Sequence, residues 1–119
     1  PHKSVFGIGN YDVNVLEAAL MKKGLHLRWH DARRAAADID LVADGVLGVI
    51  VNTSSTKWLF WKSRHWYTVR PVGGVWLNLD SKLEVPEPFD DVAAVTAHLQ
   101  VALDAEGGNV LVISRAPAE

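Results

Sequence analysis

The fold turns on the stretch Arg64-His65-Trp66-Tyr67-Thr68-Val69-Arg70, the turn Pro71-Val72-Gly73-Gly74, and the return run Val75-Trp76-Leu77-Asn78-Leu79-Asp80-Ser81. Two runs rich in β-branched and aromatic residues, split by a Pro/Gly turn, predict a β-hairpin. A two-residue loop at Val72-Gly73, or a four-residue loop from Pro71 to Gly74, sets His65 opposite Asp80. A loop at Gly73-Gly74 sets His65 opposite Lys82 and makes Asp80 its diagonal neighbour. Because side chains alternate faces along a strand, His65 and Asp80 share a face in every one of these registers. Directly opposed residues hold their Cβ atoms roughly 4.5–5.5 Å apart, close enough for a carboxylate to accept a hydrogen bond from an imidazole. The hairpin thus offers a base and its orienter, two members of a nucleophilic triad, with no nucleophile in sight.

The rest of the chain frames this hairpin. At 119 residues and 49% apolar composition it is expected to form one domain with a real core. A net charge of −2 with interspersed signs argues against nucleic acid or an anionic membrane surface as partner. No apolar run approaches the ~20 residues of a membrane span. The chain has no cysteine, which removes disulfides, thiolate metal sites and thiol chemistry by these residues alone.

Residues 1–10 are expected to be an N-terminal loop. Asp12 is a plausible N-cap for a helix over 13–23, whose stripe is Val13, Leu16 and Leu20 and whose C-terminal cap is Gly24. Leu25 to His30 alternates as a half-buried strand, Arg33 to Ala37 suggests a short helix, and Val46 to Val51 reads as a strand covered on both faces. Asn52 to Ser63 is expected to be a connection. Beyond the hairpin, Pro86 and Pro88 mark a break. Asp90 or Asp91 caps a second helix with Val92, Val95, Leu99, Ala102 and Leu103 on one face, Gly107-Gly108 ends it, and Asn109 to Ile113 is a last buried strand before a tail over 115–119. Strands joined by a hairpin with helices gathered separately favour an α+β domain on a largely antiparallel sheet.

Other candidate sites are weaker. His26 and His30 share a strand face but sit about 13 Å apart at i and i+4, too far to share one zinc, so no metal site is expected. His98 is read as a helix-surface residue. Trp58, Phe60 and Trp61 form an aromatic cluster, read either as a protein-binding lip or as a lid over the sheet edge.

Three blocks, Gly9-Asn10-Tyr11-Asp12-Val13-Asn14-Val15, Arg64-His65-Trp66, and Trp76-Leu77-Asn78-Leu79-Asp80-Ser81-Lys82-Leu83 with Pro86 beyond, resemble the Josephin domain of ubiquitin-specific cysteine proteases. The likeness is to the short Josephin-only proteins and runs from Pro1 to about Ser114. It implies a papain-like α+β fold, cleavage of isopeptide bonds at the ubiquitin C-terminus, and no metal or organic cofactor. By resemblance His65 is the general base, Asp80 the third triad member, and Asp12, Val13 and Asn14 lie where the ubiquitin tail is received. The family's Gln- and Cys-bearing first segment has no counterpart here, so the N-terminal helical part of the fold is expected to be missing and the chain inactive as it stands. Either an upstream part exists, or a second chain supplies it, or this is a degenerate relative serving as a structural or interaction subunit of a larger assembly. The family implies the cytoplasm for an active member, and a structural subunit leaves an organellar assembly open. Loss of a helical layer would bare an apolar sheet face, which calls for a covering partner.

Overall fold

The computed structural model describes the backbone of residues 5–57 and 61–115, and the side chains of 13–54 and 63–115. Its elements are helix α1 (Val5–Lys22), strand β1 (Leu25–Trp29), a 3-10 turn (Ala36–Asp38), β2 (Val46–Lys57), β3 (Trp61–Val72), β4 (Val75–Asn78), β5 (Glu87–Pro88), helix α2 (Val92–Asp104) and β6 (Asn109–Arg115). The strands form one six-stranded antiparallel sheet in the order β1-β6-β2-β3-β4-β5, with helices against it: an α+β fold.

The centre of the sheet follows from the most apolar strands. Val46 to Val51 is flanked by β3 and β6, and Val49 and Val51 face one side while Ile50 faces the other. The larger core lies on the α2 side. There Val49, Val51, Val69, Val110 and Val112 of the sheet meet Val95, Leu99, Ala102 and Leu103 of the helix. This helix forms where its stripe and cap predict it: Asp91 Oδ1 accepts the Ala94 N–H at 2.8 Å. The opposite face carries a smaller cluster of Val13, Leu27, Ile50 and Leu111, against which Leu16, Leu20, Trp66 and Ile113 are only partly covered. Between α1 and the β2–β3 ladder lies a cleft of about 400 Å³ lined by Val13, Leu16, Ile50, Trp66, Tyr67 and Thr68.

Several expectations are corrected. α1 begins at Val5, so residues 5–10 are helical rather than loop, and Asp12 sits inside the helix instead of capping it. The connection expected over 52–63 is mostly strand: Asn52 to Lys57 pair with Trp66 to Trp61, extending an antiparallel ladder that begins at Val49 and Val69. Its polar, Ser/Thr-rich sequence shows no sign of the strand, because its partner lies further along the chain. The short helix at 33–37 shrinks to one 3-10 turn, which His30 organises. Strand β1 ends at Trp29, and the buried His30 ring brings Nε2 to 3.0 Å from the Ala35 carbonyl and 3.3 Å from that of Arg34. No metal-binding group of side chains occurs among the described residues. The break at Pro86 and Pro88 includes a two-residue bridge, with Leu77 paired to Pro88 and Asn78 to Glu87. Residues 116–119 of the expected tail lie outside the described residues, and β6 runs through Arg115.

Two buried positions test this packing by urea denaturation. Leu99 is fully buried between α2 and the sheet, and Leu99→Ala is expected to cost about 2–5 kcal/mol. A Cβ on Gly108 would stand 1.8 Å from the Ala102 carbonyl oxygen, so Gly108→Ala must displace backbone and cost at least about 1–3 kcal/mol. Val101→Ala, on the open side of α2 at 70% exposure, is the control and should change stability by less than about 0.5 kcal/mol.

A histidine–aspartate pair at the end of the sheet

The hairpin loop is Gly73-Gly74, with Val72 opposite Val75 and both glycines at positive φ, the backbone region a tight reversal needs. That register would set Lys82 opposite His65, but the ladder stops before reaching it. Its last bond is Leu79 N–H to the Thr68 carbonyl at 2.9 Å. The chain then folds through two consecutive side-chain-closed turns. Asn78 Oδ1 accepts the Asp80 N–H at 3.0 Å, and Asp80 Oδ1 accepts the Lys82 N–H at 2.9 Å. The buried Asn78 thereby aims the Asp80 carboxylate back along β3, where Oδ1 meets His65 Nε2 at 2.6 Å. On its other flank His65 pairs with Thr53 of β2.

The pair is mostly shielded, with side chains 23% and 17% exposed. Burial pushes the Asp80 carboxyl up, but the Lys82 N–H, the His65 hydrogen bond and the positive charges of His65 and Lys82 outweigh it and hold the group below 3.8. An ionised Asp80 accepts from Nε2–H and so selects the tautomer in which Nδ1 carries the lone pair. Nδ1 makes no hydrogen bond among the described residues.

Three side chains beyond the expected pair, Tyr67, His98 and Phe89, complete the surroundings. Tyr67, two residues along the same strand face, stacks its ring on His65 with centroids 5.5 Å apart and planes 26° from parallel. Its hydroxyl lies 2.7 Å from Nε2 of His98, which is half-buried on α2 rather than on the surface, and the edge of Phe89 closes against that imidazole. Burial, followed by the charge of Asp80, raises the Tyr67 phenol above 10.0. Burial lowers His98 below 6.5, and Asp80 offsets part of that. On the opposite face of β3, the exposed Arg64 bridges the strand to the turn after α2 by donating to Asn52 Oδ1 and to the Gly107 carbonyl. The spacing of His65 and Tyr67 was visible in sequence; the approach of α2 was not. Asn52 Nδ2 is buried without a hydrogen-bond partner among the described residues, and nothing in the structure explains it.

The remaining candidates fall elsewhere. Val13 is buried on the α1 face, opposite to His65, and Asn14 is exposed; the Asp12 side chain lies outside the described residues. Trp58 and Phe60 lie outside the described residues as well, and Trp61 opens β3 with its side chain undescribed.

With the pair in view, comparison with known proteins becomes informative. The family model described as Josephin matches residues 1–114. This chain belongs to the Josephin family. Over 111 residues it is 44% identical to a Josephin-like protein of Arabidopsis thaliana, an alignment covering 90% of this chain and 31% of that protein. Human Josephin-2 is 46% identical over 108 residues, 87% of this chain and 56% of that one, and a Josephin-like protein of Drosophila melanogaster is 37% identical over 93 residues, 73% and 41%. The chain thus spans between about a third and just over half of the length of these Josephin relatives.

The half-buried His98 makes a pH prediction for this Josephin chain. Its folded pKa lies below the unfolded 6.5, so the unfolded state binds the proton more readily, and the associated stability is complete above 6.5 and lost as pH falls below it. Thermal melts from pH 7.5 to 5 should show a decline that His98→Gln makes shallower. Asp80, held below 3.8, should add a separate loss only below that pH, and Asp80→Asn should remove it.

Proposed function

We propose that these 119 residues are part of a Josephin-type deubiquitinase domain, the part that supplies the general base and its orienter for hydrolysis of isopeptide bonds at the ubiquitin C-terminus. The observation that carries this reading is the 2.6 Å contact between Asp80 Oδ1 and His65 Nε2, which leaves Nδ1 unbonded among the described residues in a chain of this family. His65 Nδ1 takes the proton of a cysteine thiol, and the thiolate attacks the carbonyl carbon of the ubiquitin tail. The same proton passes to the departing lysine amine, leaving a thioester. Water then attacks the thioester with its proton received by Nδ1, and the thiol and the ubiquitin carboxylate are released. Asp80 stays ionised, fixing the ring and stabilising the imidazolium.

None of the 119 residues is cysteine, so the thiol belongs elsewhere in the native polypeptide or to a second chain, and these residues alone are inert. The tail-receiving role of Asp12, Val13 and Asn14 rests on resemblance. Val13 is only 4% exposed, which leaves the exposed Asn14 better placed to meet a peptide. The same lack of cysteine favours a second reading, a non-catalytic Josephin-derived subunit of a larger assembly. Its contacts would be Trp58, Phe60 and Trp61 together with the thinly covered α1 face.

The test is labelling by ubiquitin with an electrophilic C-terminus, and hydrolysis of a ubiquitin C-terminal amide, on the native polypeptide and on these 119 residues. The deubiquitinase reading expects labelling at one cysteine of the native polypeptide and none of the 119 residues. His65→Ala should lower hydrolysis by at least about 10²-fold. Asp80→Asn, which keeps an acceptor oxygen, should retain more activity than Asp80→Ala. A native polypeptide that ubiquitin probes never label, or hydrolysis that survives His65→Ala, overturns the proposal; the first outcome leaves the subunit reading.

A further inference from the structure

We infer that Tyr67 is a positioning residue for the His65–Asp80 pair, and that His98 pins it from helix α2. The role assigned to the pair rests on the deubiquitinase reading, but the positioning itself is a statement about rings and hydrogen bonds. His65 and Tyr67 point to one face of β3 because they are two residues apart, and their rings lie 5.5 Å apart and nearly parallel. Asp80 holds one edge of the imidazole through Nε2. One hydrogen bond leaves the ring free to rotate about its own contact, and a stacked neighbour removes that freedom. Tyr67 can do this only if its own ring is held. Two contacts hold it: its hydroxyl is 2.7 Å from His98 Nε2, and its ring meets the His98 ring edge-on at 77° with centroids 5.9 Å apart. His98 is in turn set against Phe89 at 5.3 Å.

The row Asp80, His65, Tyr67, His98 therefore ties a pair at the end of the sheet to a helix that the ladder itself does not fix. Burial favours a neutral phenol and a neutral imidazole at the far end, a combination in which the hydroxyl donates to Nε2. The charged and titratable groups acting on His98 are Asp80 from the turn after β4 and Tyr67 from β3. On α2 itself Asp104 accepts from Gln100, and beside the 3-10 turn Asp38 is paired with Arg34. The phenol of Tyr67 is thus the element through which α2 bears on His65.

The experiment reads the imidazoles directly, by nitrogen-15 and carbon-13 NMR of the histidine rings of this chain between pH 5 and 8. In the wild type His65 should show one tautomer, protonated on Nε2. Tyr67→Phe and His98→Ala, which remove the hydroxyl–imidazole bond from either side, should each move His65 toward averaged tautomer shifts. The double variant should add little to either single change, as expected for one shared contact. Tyr67→Leu should do more, and His98→Gln, whose amide can still bond the phenol, should restore the wild-type pattern. A merely structural role would lower the melting temperature and leave the His65 signals in place. His65 signals that superimpose on wild type in both Tyr67→Phe and His98→Ala overturn the inference, whatever happens to Tyr67→Leu. This readout needs neither thiol nor ubiquitin, so a failed ubiquitin assay sinks the deubiquitinase reading and leaves the positioning role of Tyr67 to be decided by the NMR alone. Where the native polypeptide does hydrolyse ubiquitin amides, the two variants should lower kcat about 3–10-fold with KM unchanged.

Discussion

The pairing of β2 with β3 on one side and β6 on the other is the constraint from which the rest of this domain follows. Val49, Val51, Val69, Val110 and Val112 are essentially sealed from water by it, and their alternation decides which face every neighbouring residue must take. Once Val69 is committed to the α2 core, Tyr67 and His65 are committed to that face too, and Trp66 and Thr68 to the other. Slipping the ladder by one residue would place Trp66 beside α2 and turn His65 toward α1. The functional geometry is therefore held by the same hydrophobic term that holds the fold.

That arrangement explains how an acid–base pair forms where the sheet is failing. Strand β4 ends at Asn78, and the ladder that would carry Asp80 past His65 is replaced by two short side-chain-closed turns. An intact strand in this register would have set Lys82 against His65, a cation facing a base. Breaking off early, with Asn78 buried beneath the turn, swings a carboxylate into that place instead. The cost is a short β4, and the strand beyond it shrinks to a two-residue bridge.

The two faces of the sheet are unequal, and the inequality bears on what the domain can do. The α2 face has the large core and the ring row that ends in His65. The α1 face has a small cluster, half-covered Trp66 and Leu16, and a 400 Å³ cleft. The Josephin relatives it matches are longer than this chain.

Much was legible without coordinates because it depends on local periodicity. The stripe and Asp91 cap of α2, the continuous apolar run of β2 and the hairpin around Gly73-Gly74 are properties of residue spacing, and the three Josephin-like blocks are properties of the residues themselves. The extent of β2 and β3 beyond Val51 was not legible. Polar Ser/Thr residues form strand only when a partner strand is there to accept their backbone bonds. Nor was the position of Asp80, because three loop registers shared one parity and only tertiary packing could choose among them. His98 looked like a surface residue for the same reason: its helix spacing is local, but what its imidazole meets belongs to a strand 31 residues away. Sequence alone determined that a histidine and a carboxylate lie on the two arms of one hairpin; how the ladder ends, how its end brings them together, and which ring from α2 stands behind them, were decided by long-range packing.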